Sequence, residues 1–463
     1  CQFMSNQVPY RLAGFLLCAI ASGARATPEA AKPADAFVDS IGVNTHYGNA
    51  ANGPGNAYFN PLLDAKLAEL GIRHLRDHTW SDDGLTRIDG LYSAYGIRTT
   101  LILGETSRSP ATLVNILKQH PAYEAIEGLN EPDFTIRSYN GLTDSPSTNS
   151  YPATKAFQND LYAAVKADPQ TNPLPVLSPA MGRSFRSQYL IPIQFDIAAM
   201  HSYAWATAGL TSHPPSAGVD TAISDMAALR GSKPLWATES GYFNRSSTDT
   251  RRVPESVSAK YIPRLFGEFF NRGIERTYLY ELADQGPSTT AREENFGLVR
   301  FDMSEKPAFV AMENLIDLLE EPGAGNFTPG SLDYTLTLNG AGDLSNVSHT
   351  LLQKSDGTFY LMLWQEVGSF DRPSQTVINN APLSVTLSLS EAMNAQTYLP
   401  GASIASMGTY LNTTAVNLSV PDEVLLVQLS SIPEPACLSG FALGVLMLFR
   451  RTRTHRPRVP NQR

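Results

Sequence analysis

The stretch PLLDAKLAELGIRHLRDH, residues 61–78, contains the unit from which the fold of this chain can be predicted. Apolar residues recur at helical spacing from Pro61 to Leu70, with a proline at the first helical position and Gly71 just past the end. A β-rich run, His74 to His78, follows within three residues. A helix joined to a strand by so short a loop is typical of parallel α/β folds.

The same alternation of strand and helix extends from Phe37 to Leu319. Other helical patterns cover Tyr151 to Ala167 and Ser256 to Asn271, although the helix after the fifth strand is poorly defined. Eight units in about 280 residues predict a (β/α)8 TIM barrel, a purely α/β fold, over residues 37–322. The predicted strands are Ile41 to His46, His74 to His78, Arg98 to Leu103, Ala125 to Asn130, Val176 to Pro179, Ile197 to His201, Leu235 to Glu239 and Thr277 to Glu281.

The rest of the body has a different pattern. Residues 323–432 alternate apolar and polar side chains, as in residues 334–338 and 383–389, and Gly and Asn turns separate these runs. This pattern predicts a small antiparallel β-sandwich domain. Residues 27–36 are interpreted as a linker before the barrel.

Composition excludes several classes of function. A net charge of −9 with no cluster of Lys and Arg in the body argues against nucleic-acid binding. The three cysteines, Cys1, Cys18 and Cys437, lie near the chain ends, so the body holds no disulfide, thiolate nucleophile or Cys-ligated metal. His-Glu-x-x-His, phosphate-loop and dinucleotide motifs are absent from the sequence, and we expect no metal and no cofactor.

Both ends of the chain have the patterns of targeting segments. Arg11, an apolar run from Leu12 to Ala21 and the Ala-x-Ala triplet ending at Ala26 predict a signal peptide over residues 1–26; the alternative is a buried N-terminal helix. Near the C-terminus, Pro433-Glu434-Pro435 precedes an apolar run of fourteen residues and an Arg cluster. This order resembles the PEP-CTERM sorting signal of Gram-negative bacteria.

The resemblance covers residues 433–463 and implies export to the cell surface or beyond. Residues 436–449 would insert transiently in the bacterial membrane, with the basic cluster on the cytoplasmic side. A sorting protease of the exosortase type would then process the tail. An ordinary C-terminal membrane anchor is the alternative interpretation.

Two glutamates end predicted strands of the barrel. The fourth strand runs into Asn130-Glu131-Pro132, and the seventh ends in Thr238-Glu239-Ser240. Catalytic groups of TIM barrels lie at the C-terminal ends of the strands. A pair of carboxyl groups about 5–5.5 Å apart, one protonated and one ionised, is what glycoside hydrolysis with retention requires.

These motifs resemble those of the clan A glycoside hydrolases, which carry Asn-Glu-Pro at the end of strand four and a second Glu at the end of strand seven. The segment Tyr280-Glu281-Leu282-Ala283-Asp284 is most similar to the corresponding segment of family 39-like members, which also have a β-sandwich after the barrel. The resemblance implies that Glu131 is the acid/base, that Glu239 is the nucleophile, and that Asn130 holds the sugar 2-hydroxyl.

The resemblance also assigns supporting roles. His201-Ser202-Tyr203 matches a His-x-Tyr motif, in which Tyr203 would donate a hydrogen bond to Glu239 and His201 would line the sugar subsite. Arg76 would stabilise the ionised nucleophile; the alternative is an ion pair with Asp77 or Asp133. The remaining candidates for sugar binding, on or after strand ends, are His46, Trp80, Trp205, Tyr242, and either Tyr280 or Glu281 where the clan often has a Trp.

The sequence thus predicts a retaining glycoside hydrolase that cleaves β-glycosidic bonds of a poly- or oligosaccharide. A transglycosylase on the same fold would differ only in excluding water. A non-catalytic carbohydrate-binding protein of the cell surface is the alternative from another class. The carbohydrate itself is the one small-molecule partner that the motifs imply.

Overall fold

The structure is a computed structural model that describes residues 28–48, 56–78, 82–103, 105–246, 248–323 and 325–432. The predicted signal peptide, Trp80 and the predicted sorting tail from Pro433 onward lie outside these residues. Among the described residues, we find no helix with both the length and the apolar character needed to cross a bilayer.

Strands and helices alternate through the first two thirds of the chain. In chain order the elements are β1 (Glu29–Ala30), β2 (Lys32–Pro33), α1 (Ala34–Asp39), β3 (Ile41–Asn44), α2 (Leu62–Leu70), β4 (His74–Asp77), α3 (Asp82–Tyr95), β5 (Arg98–Leu103), α4 (Pro110–Gln119), β6 (Tyr123–Leu129), β7 (Ser138–Tyr139), β8 (Leu142–Thr143), α5 (Pro152–Ala167), β9 (Val176–Leu177), β10 (Ala198–His201), α6 (Val219–Arg230), β11 (Leu235–Ser240), α7 (Glu255–Asn271), β12 (Arg276–Leu279) and α8 (Pro307–Leu319).

Eight of these strands form a parallel barrel. Their order is β10-β11-β12-β3-β4-β5-β6-β9, and a parallel bridge between Leu177 and Ile197 joins β9 to the segment entering β10. The predicted (β/α)8 barrel is therefore confirmed, and each predicted strand lies within a few residues of an observed one. In the fifth unit, a 3-10 helix, Ser184–Leu190, takes the place of an α-helix.

Local sequence explains where these elements begin and end. Helix α2 starts after Pro61 and stops at Gly71, whose φ of 75° is left-handed and suits a residue without a Cβ. Leu63, Leu67 and Leu70 fall on one face of α2 and are buried in the main core. Each leucine buried in this way contributes roughly 1.5–3 kcal/mol relative to an exposed one.

The barrel interior is filled by side chains from alternate strand positions. Trp236 and Tyr278 pack there with small residues of neighbouring strands. The Tyr278 ring covers Gly42, where a Cβ would lie 2.5 Å from a ring carbon. The interior is thus packed, and open space begins at the ends of the strands.

The C-terminal region forms the additional β-structure that the alternating pattern predicted. Its strands are β13 (Ser331–Leu332), β14 (Tyr334–Leu338), β15 (Val347–Gln353), β16 (Phe359–Gln365), β17 (Phe370–Asp371), β18 (Thr376–Val377), β19 (Leu383–Leu399), β20 (Ser403–Val420) and β21 (Leu425–Ser431). Seven strands share one sheet in the order β14-β19-β21-β16-β15-β2, with β20 paired to β19. Pairing along β19 shifts between Ser388 and Met393, so β14 bonds to its first part and β21 to its second.

Strand β16 is buried on both faces. Phe359, Leu361 and Leu363 pack in the core of the sheet, whereas Tyr360, Met362 and Trp364 belong to the core of the barrel. A strand covered on both sides has a continuous apolar sequence instead of an alternating one. The barrel and this sheet therefore form one compact body.

Residues 28–36 differ from the predicted linker. Strand β1 pairs with β13, β2 pairs in parallel with β15, and α1 begins at Ala34. The Lys32 ammonium also donates to the carbonyl of Phe270 at the end of α7, 3.2 Å away. The polar sequence resembles a linker, but its backbone completes the edge of the C-terminal sheet.

Candidate active site

A cavity of about 870 Å³ opens at the C-terminal ends of the barrel strands. Residues that end or follow the strands line it, together with the loops after β6, β9, β10 and β12. The sequence-predicted residues that line it are His46, Arg76, Asn130, Glu131, His201, Tyr203, Trp205, Glu239 and Tyr280. The structure thus gathers most of the predicted site at one mouth of the barrel.

Arg76 lies at the centre of this site. It projects from β4, is almost fully buried, and donates to two carboxylates: Glu127 from Nε and Nη2, at 2.6 and 3.0 Å, and Glu239 from Nη1, at 2.8 Å. It also donates to the side-chain oxygens of Asn44 and Asn130. The ion pairs with Asp77 or Asp133 that the sequence left open are replaced by pairs with these two glutamates.

Glu239 ends β11 and is held in its ionised form. Its Oε1 accepts from Arg76 and its Oε2 accepts from the Tyr203 hydroxyl, 2.9 Å away. Burial alone would raise the pKa of Glu239, but the charges of His201 and Arg76 and these hydrogen bonds outweigh burial and lower it. Glu239 therefore presents an anionic carboxylate oxygen to the open cavity.

Glu131 follows β6, and its carboxyl group lies near the same His201 nitrogen as that of Glu239. Its φ of 42° is left-handed, a conformation that costs a non-glycine residue about 1–3 kcal/mol. Its backbone is fixed because its N–H donates to the Ala180 carbonyl, at 2.8 Å, and its own carbonyl accepts from the Phe134 N–H, at 3.0 Å. The strained backbone aims a carboxyl group into the cavity from a strand end.

His201 is close to both glutamates through one ring nitrogen. Its Nδ1 is 3.0 Å from Glu131 Oε1 and 3.5 Å from Glu239 Oε2, and its Nε2 is 3.4 Å from Arg76 Nη2. Burial lowers the pKa of His201, but Glu239 and Glu131 raise it further than burial lowers it. When the ring is neutral, Nε2 accepts from Arg76, which has only donors, so Nδ1 carries the proton and donates to Glu131.

One oxygen of Glu131, one oxygen of Glu239 and a nitrogen of His201 all lie within 4.8 Å of one another. Among the described residues this is the grouping with donors close enough to hold a metal ion. The Arg76 guanidinium, 2.8 Å from Glu239, already neutralises that carboxylate and would repel a divalent cation. The arrangement suits two opposed carboxyl groups acting on one bond better than a metal centre.

Another buried carboxylate, that of Glu281, lies next to the cavity but outside its lining. Glu281 is fully buried, accepts from the Tyr58 hydroxyl at 3.0 Å, and has Oε2 3.0 Å from His46 Nε2. Burial raises the pKa of Glu281, although the charge of His46 opposes this. Burial lowers the pKa of His46, but the nearby carboxylates, above all that of Glu281, raise it by more. Glu281 is not itself in the cavity lining, whereas Tyr280 is, so Tyr280 occupies the strand-eight position.

Of the two aromatic residues predicted after strands six and seven, Trp205 lies at the cavity and Tyr242 does not. Trp205 lines the cavity, packs on Tyr203, and lies under the Arg251 guanidinium, 4.6 Å from the ring centre. The prediction for Tyr242 is wrong: its ring is buried against Tyr261 of α7, and its hydroxyl donates to the His213 carbonyl. The side chain after Gly241 therefore faces the helices instead of the cavity.

Sequence reasoning missed Asn44, Glu127 and Phe296. Glu127 could have been found, because a carboxylate two residues after Ala125 in a buried strand faces the barrel interior and must have a partner there. Phe296 lines the cavity from an irregular loop and packs on Tyr280, 5.2 Å between ring centres. The position of Phe296 depends on the path of that loop, which the alternation of apolar and polar residues in the sequence does not predict.

No protein-family model matches the chain, and no curated protein sequence matches it. Solved structures do match. A glucosidase from Croceicoccus marinus has a TM-score of 0.56 at 11% identity, over 88% of this chain and 97% of that one. A GH39 β-xylosidase from Caulobacter crescentus has a TM-score of 0.54 at 16% identity, over 87% and 98% of the two chains.

A third match is a family 39 glycoside hydrolase from the gut symbiont Bacteroides cellulosilyticus WH2, with a TM-score of 0.53 at 14% identity, over 86% of this chain and 81% of that one. The three neighbours are glycosidases. At such low identity the likeness shows a shared fold. Because it covers more than four fifths of this chain, the fold in common includes the barrel together with the sheet that follows it.

Proposed function

We propose that this protein is a retaining β-glycosidase that cleaves a poly- or oligosaccharide by double displacement. The observation that carries the proposal is the opposed pair of Glu131 and Glu239, with oxygens within 4.8 Å of each other in an open cavity. So short a separation is the one that retention requires, because inversion needs room for a water molecule between the two groups. The fold shared with family 39 glycosidases supports the same conclusion.

In the first step, a Glu239 oxygen attacks the anomeric carbon while the bond from that carbon to the glycosidic oxygen breaks. Glu131 donates its proton to the leaving oxygen. Arg76 and Tyr203 keep Glu239 anionic and hold its two oxygens in place. The product of the step is a glycosyl ester of Glu239 with inverted configuration and a free alcohol.

In the second step, Glu131 removes a proton from water, and the water oxygen attacks the anomeric carbon. The ester bond to Glu239 breaks and its carboxylate is restored, so two inversions give net retention. The Nδ1–H of His201, 3.0 Å from Glu131, stabilises the carboxylate form between the two steps. Arg76 stabilises Glu239 as it leaves.

Asn130 and Tyr280 complete the sugar subsite. The Asn130 side-chain oxygen accepts from Arg76, so the amide N–H groups are those that can donate to a sugar hydroxyl. Tyr280 lines the cavity beside His46, 5.6 Å between ring centres. A ring surface beside an amide donor binds both the C–H face and a hydroxyl of one pyranose ring.

Azide rescue tests the two roles. We expect Glu131→Ala to lose activity on natural glycosides by roughly 10²- to 10⁴-fold and to recover with azide on activated aryl glycosides, giving a β-glycosyl azide. We expect Glu239→Gly to give an α-glycosyl azide, because azide then enters from the face that Glu239 occupied. The products are assigned by NMR from a panel of aryl β-glycosides.

Glu127→Gln is the control, because it removes a buried carboxylate that binds Arg76 but lies outside the cavity lining. It should lower activity without any rescue by azide. If both catalytic variants give the same anomer, or if neither responds while folded, the assigned roles are wrong. Turnover that yields only transfer products would favour the transglycosylase, and no turnover of any glycoside would favour the carbohydrate-binding alternative.

We propose in addition that the protein is exported by a Gram-negative bacterium and sorted through its C-terminal tail. This proposal is supported by the sequence features of residues 1–26 and 433–463 alone. A reporter fused to residues 433–463 and given an export signal should stay with the cell envelope in an exosortase-containing strain. Release of the reporter to the medium, unchanged in size, would contradict it.

A further inference from the structure

We infer that Phe134, Arg183 and Phe185 form a binding platform for the sugar on the leaving-group side of the scissile bond. The inference rests on the proposed function and adds to it where the second sugar of the substrate lies. All three residues line the same cavity as Glu131 and Glu239. We call them the leaving-group platform.

The position of the platform follows from the role of Glu131. The acid/base must lie beside the leaving oxygen, so whatever is attached to that oxygen extends along the wall that carries Glu131. Phe134 is part of that wall, since its backbone N–H donates to the Glu131 carbonyl at 3.0 Å. Arg183 and Phe185 come from the loop after β9, the neighbouring strand, on the same side of the cavity.

The platform is fixed in place before any ligand arrives. The Phe134 ring lies against Gly182, where a Cβ would come within 2.0 Å of a ring carbon, so only glycine allows this contact. The buried Asp133 carboxylate accepts from the Gly182 N–H at 2.8 Å and lies 3.6 Å from Arg183 Nη1. The two loops are thus tied together through one carboxylate.

The platform exposes apolar rings beside polar groups. Phe134 and Phe185 are 53% and 49% exposed, and the Arg183 guanidinium lies 4.6 Å from the Phe134 ring centre. Asp225 lines the cavity next to them and accepts from the Ser184 hydroxyl. Ring faces for C–H groups, with a donor and an acceptor for hydroxyls, match the two surfaces of a pyranose ring.

The size of the cavity agrees with a second sugar. At about 870 Å³ it is near the upper end of typical ligand pockets, and its lining includes the platform as well as the two glutamates and Tyr280. A cavity of this size has room for a second ring in contact with the platform. A substrate with a small alcohol as leaving group would leave both phenyl rings in water.

The test compares two leaving groups on one glycone. Wild type is first screened with β-glycosyl fluorides of xylose, glucose and galactose, and the best glycone is then paired with the matching β-linked disaccharides and trisaccharides. Fluoride cannot reach the platform, whereas a sugar can. We expect Phe134→Ala and Phe185→Ala each to lower kcat/KM at least tenfold on the oligosaccharides and less than twofold on the fluoride.

Tyr95→Ala is the matched control, an exposed aromatic at the C-terminal end of α3, on the opposite side of the barrel from the mouth. Phe134→Leu keeps apolar volume without a ring and should lose nearly as much as Phe134→Ala. Equal losses on fluoride and oligosaccharide, or no loss on either, would overturn the platform while leaving the proposed function intact. A wild type that cleaves neither substrate class would overturn the proposed function itself.

Discussion

At the scale of single residues, the site depends on one buried cation. Arg76 is almost fully buried and bridges Glu127 and Glu239, so it neutralises two carboxylates at once, one of them the proposed nucleophile. Burial opposes the charge of Arg76, but Glu127 and Glu239 together raise its pKa and keep it charged. Removing any member of this trio leaves another charge buried without its partner.

The first prediction concerns Tyr203, which donates to Glu239 Oε2. In Tyr203→Phe the carboxylate loses a donor, so the pKa of Glu239 rises toward the value that burial favours. Glu239 must be ionised to attack, so the acid limb of the pH profile of kcat/KM should move to higher pH. Tyr139→Phe, which removes a remote surface hydroxyl, should leave the limb in place. If the acid limb stays in place or moves to lower pH in Tyr203→Phe, Tyr203 does not lower the pKa of Glu239 as proposed.

The second prediction concerns the buried pair of Arg76 and Glu127. Arg76→Met leaves Glu127 buried without its cation, and we expect the free energy of unfolding in urea to fall by about 3–5 kcal/mol. In Arg76→Met combined with Glu127→Leu, the unpaired charge of Glu127 is gone and only Glu239, which borders the cavity, still lacks its cation, so part of that stability should return without activity. A double variant no more stable than the single one would show that the pair is not what holds this part of the barrel.

At the scale of elements, strand ends were the predictable part of the site. Buried parallel strands have continuous apolar sequences, and the first polar residue after such a run is at the mouth of the barrel. This logic located Glu131, His201 and Glu239 correctly at the cavity. It failed at Tyr242, which packs on α7, because the pairing of β11 becomes irregular between Ala237 and Ser240, and no periodicity encodes such a shift.

A loop of the C-terminal sheet also supports the cavity. The Arg372 backbone N–H donates to the Thr211 carbonyl at 2.9 Å, and its Nη1 lies 2.7 Å from His213 Nε2. His213 Nε2 is also 3.0 Å from the carbonyl of Thr207, a residue of the cavity lining. The loop between β17 and β18 is thereby linked to the loop that follows β10.

The third prediction follows from this link. Arg372→Ala should lower kcat/KM on oligosaccharides roughly tenfold through misplacement of the loop after β10, with little change in Tm. Arg230→Ala, at the end of α6 and outside the cavity lining, is the control. An unchanged kcat/KM in Arg372→Ala would mean that the loop contact has no part in positioning.

At the scale of the whole molecule, the barrel and the sheet share one core. Arg264 of α7 is fully buried and donates to Glu366 Oε2, at 2.8 and 3.0 Å, and to the carbonyls of Asp422 and Val367. Trp364 of β16 packs on Gly267 of the same helix. The alternating pattern predicted that the sheet exists, but these contacts join residues about 100 to 160 positions apart and could not be predicted from it.

The fourth prediction is that barrel and sheet unfold together. Arg264→Ala leaves the Glu366 carboxylate buried without its cation and should lower the free energy of unfolding by about 3–5 kcal/mol. Unfolding should remain a single cooperative transition. Calorimetry and intrinsic fluorescence should report the same midpoint for this variant and for wild type. Two separate transitions, with only one of them shifted by the substitution, would contradict a shared core.

The central claim is that Glu239 forms a covalent bond to the sugar, and trapping that ester tests it most directly. A 2-deoxy-2-fluoro β-glycoside with a good leaving group slows the second step more than the first, so the glycosyl-enzyme accumulates. Mass spectrometry of the digested protein should then find one sugar per chain, on the peptide that contains Glu239, and none in Glu239→Gln. A label on any other residue, or an active enzyme that accumulates no label, would contradict the account.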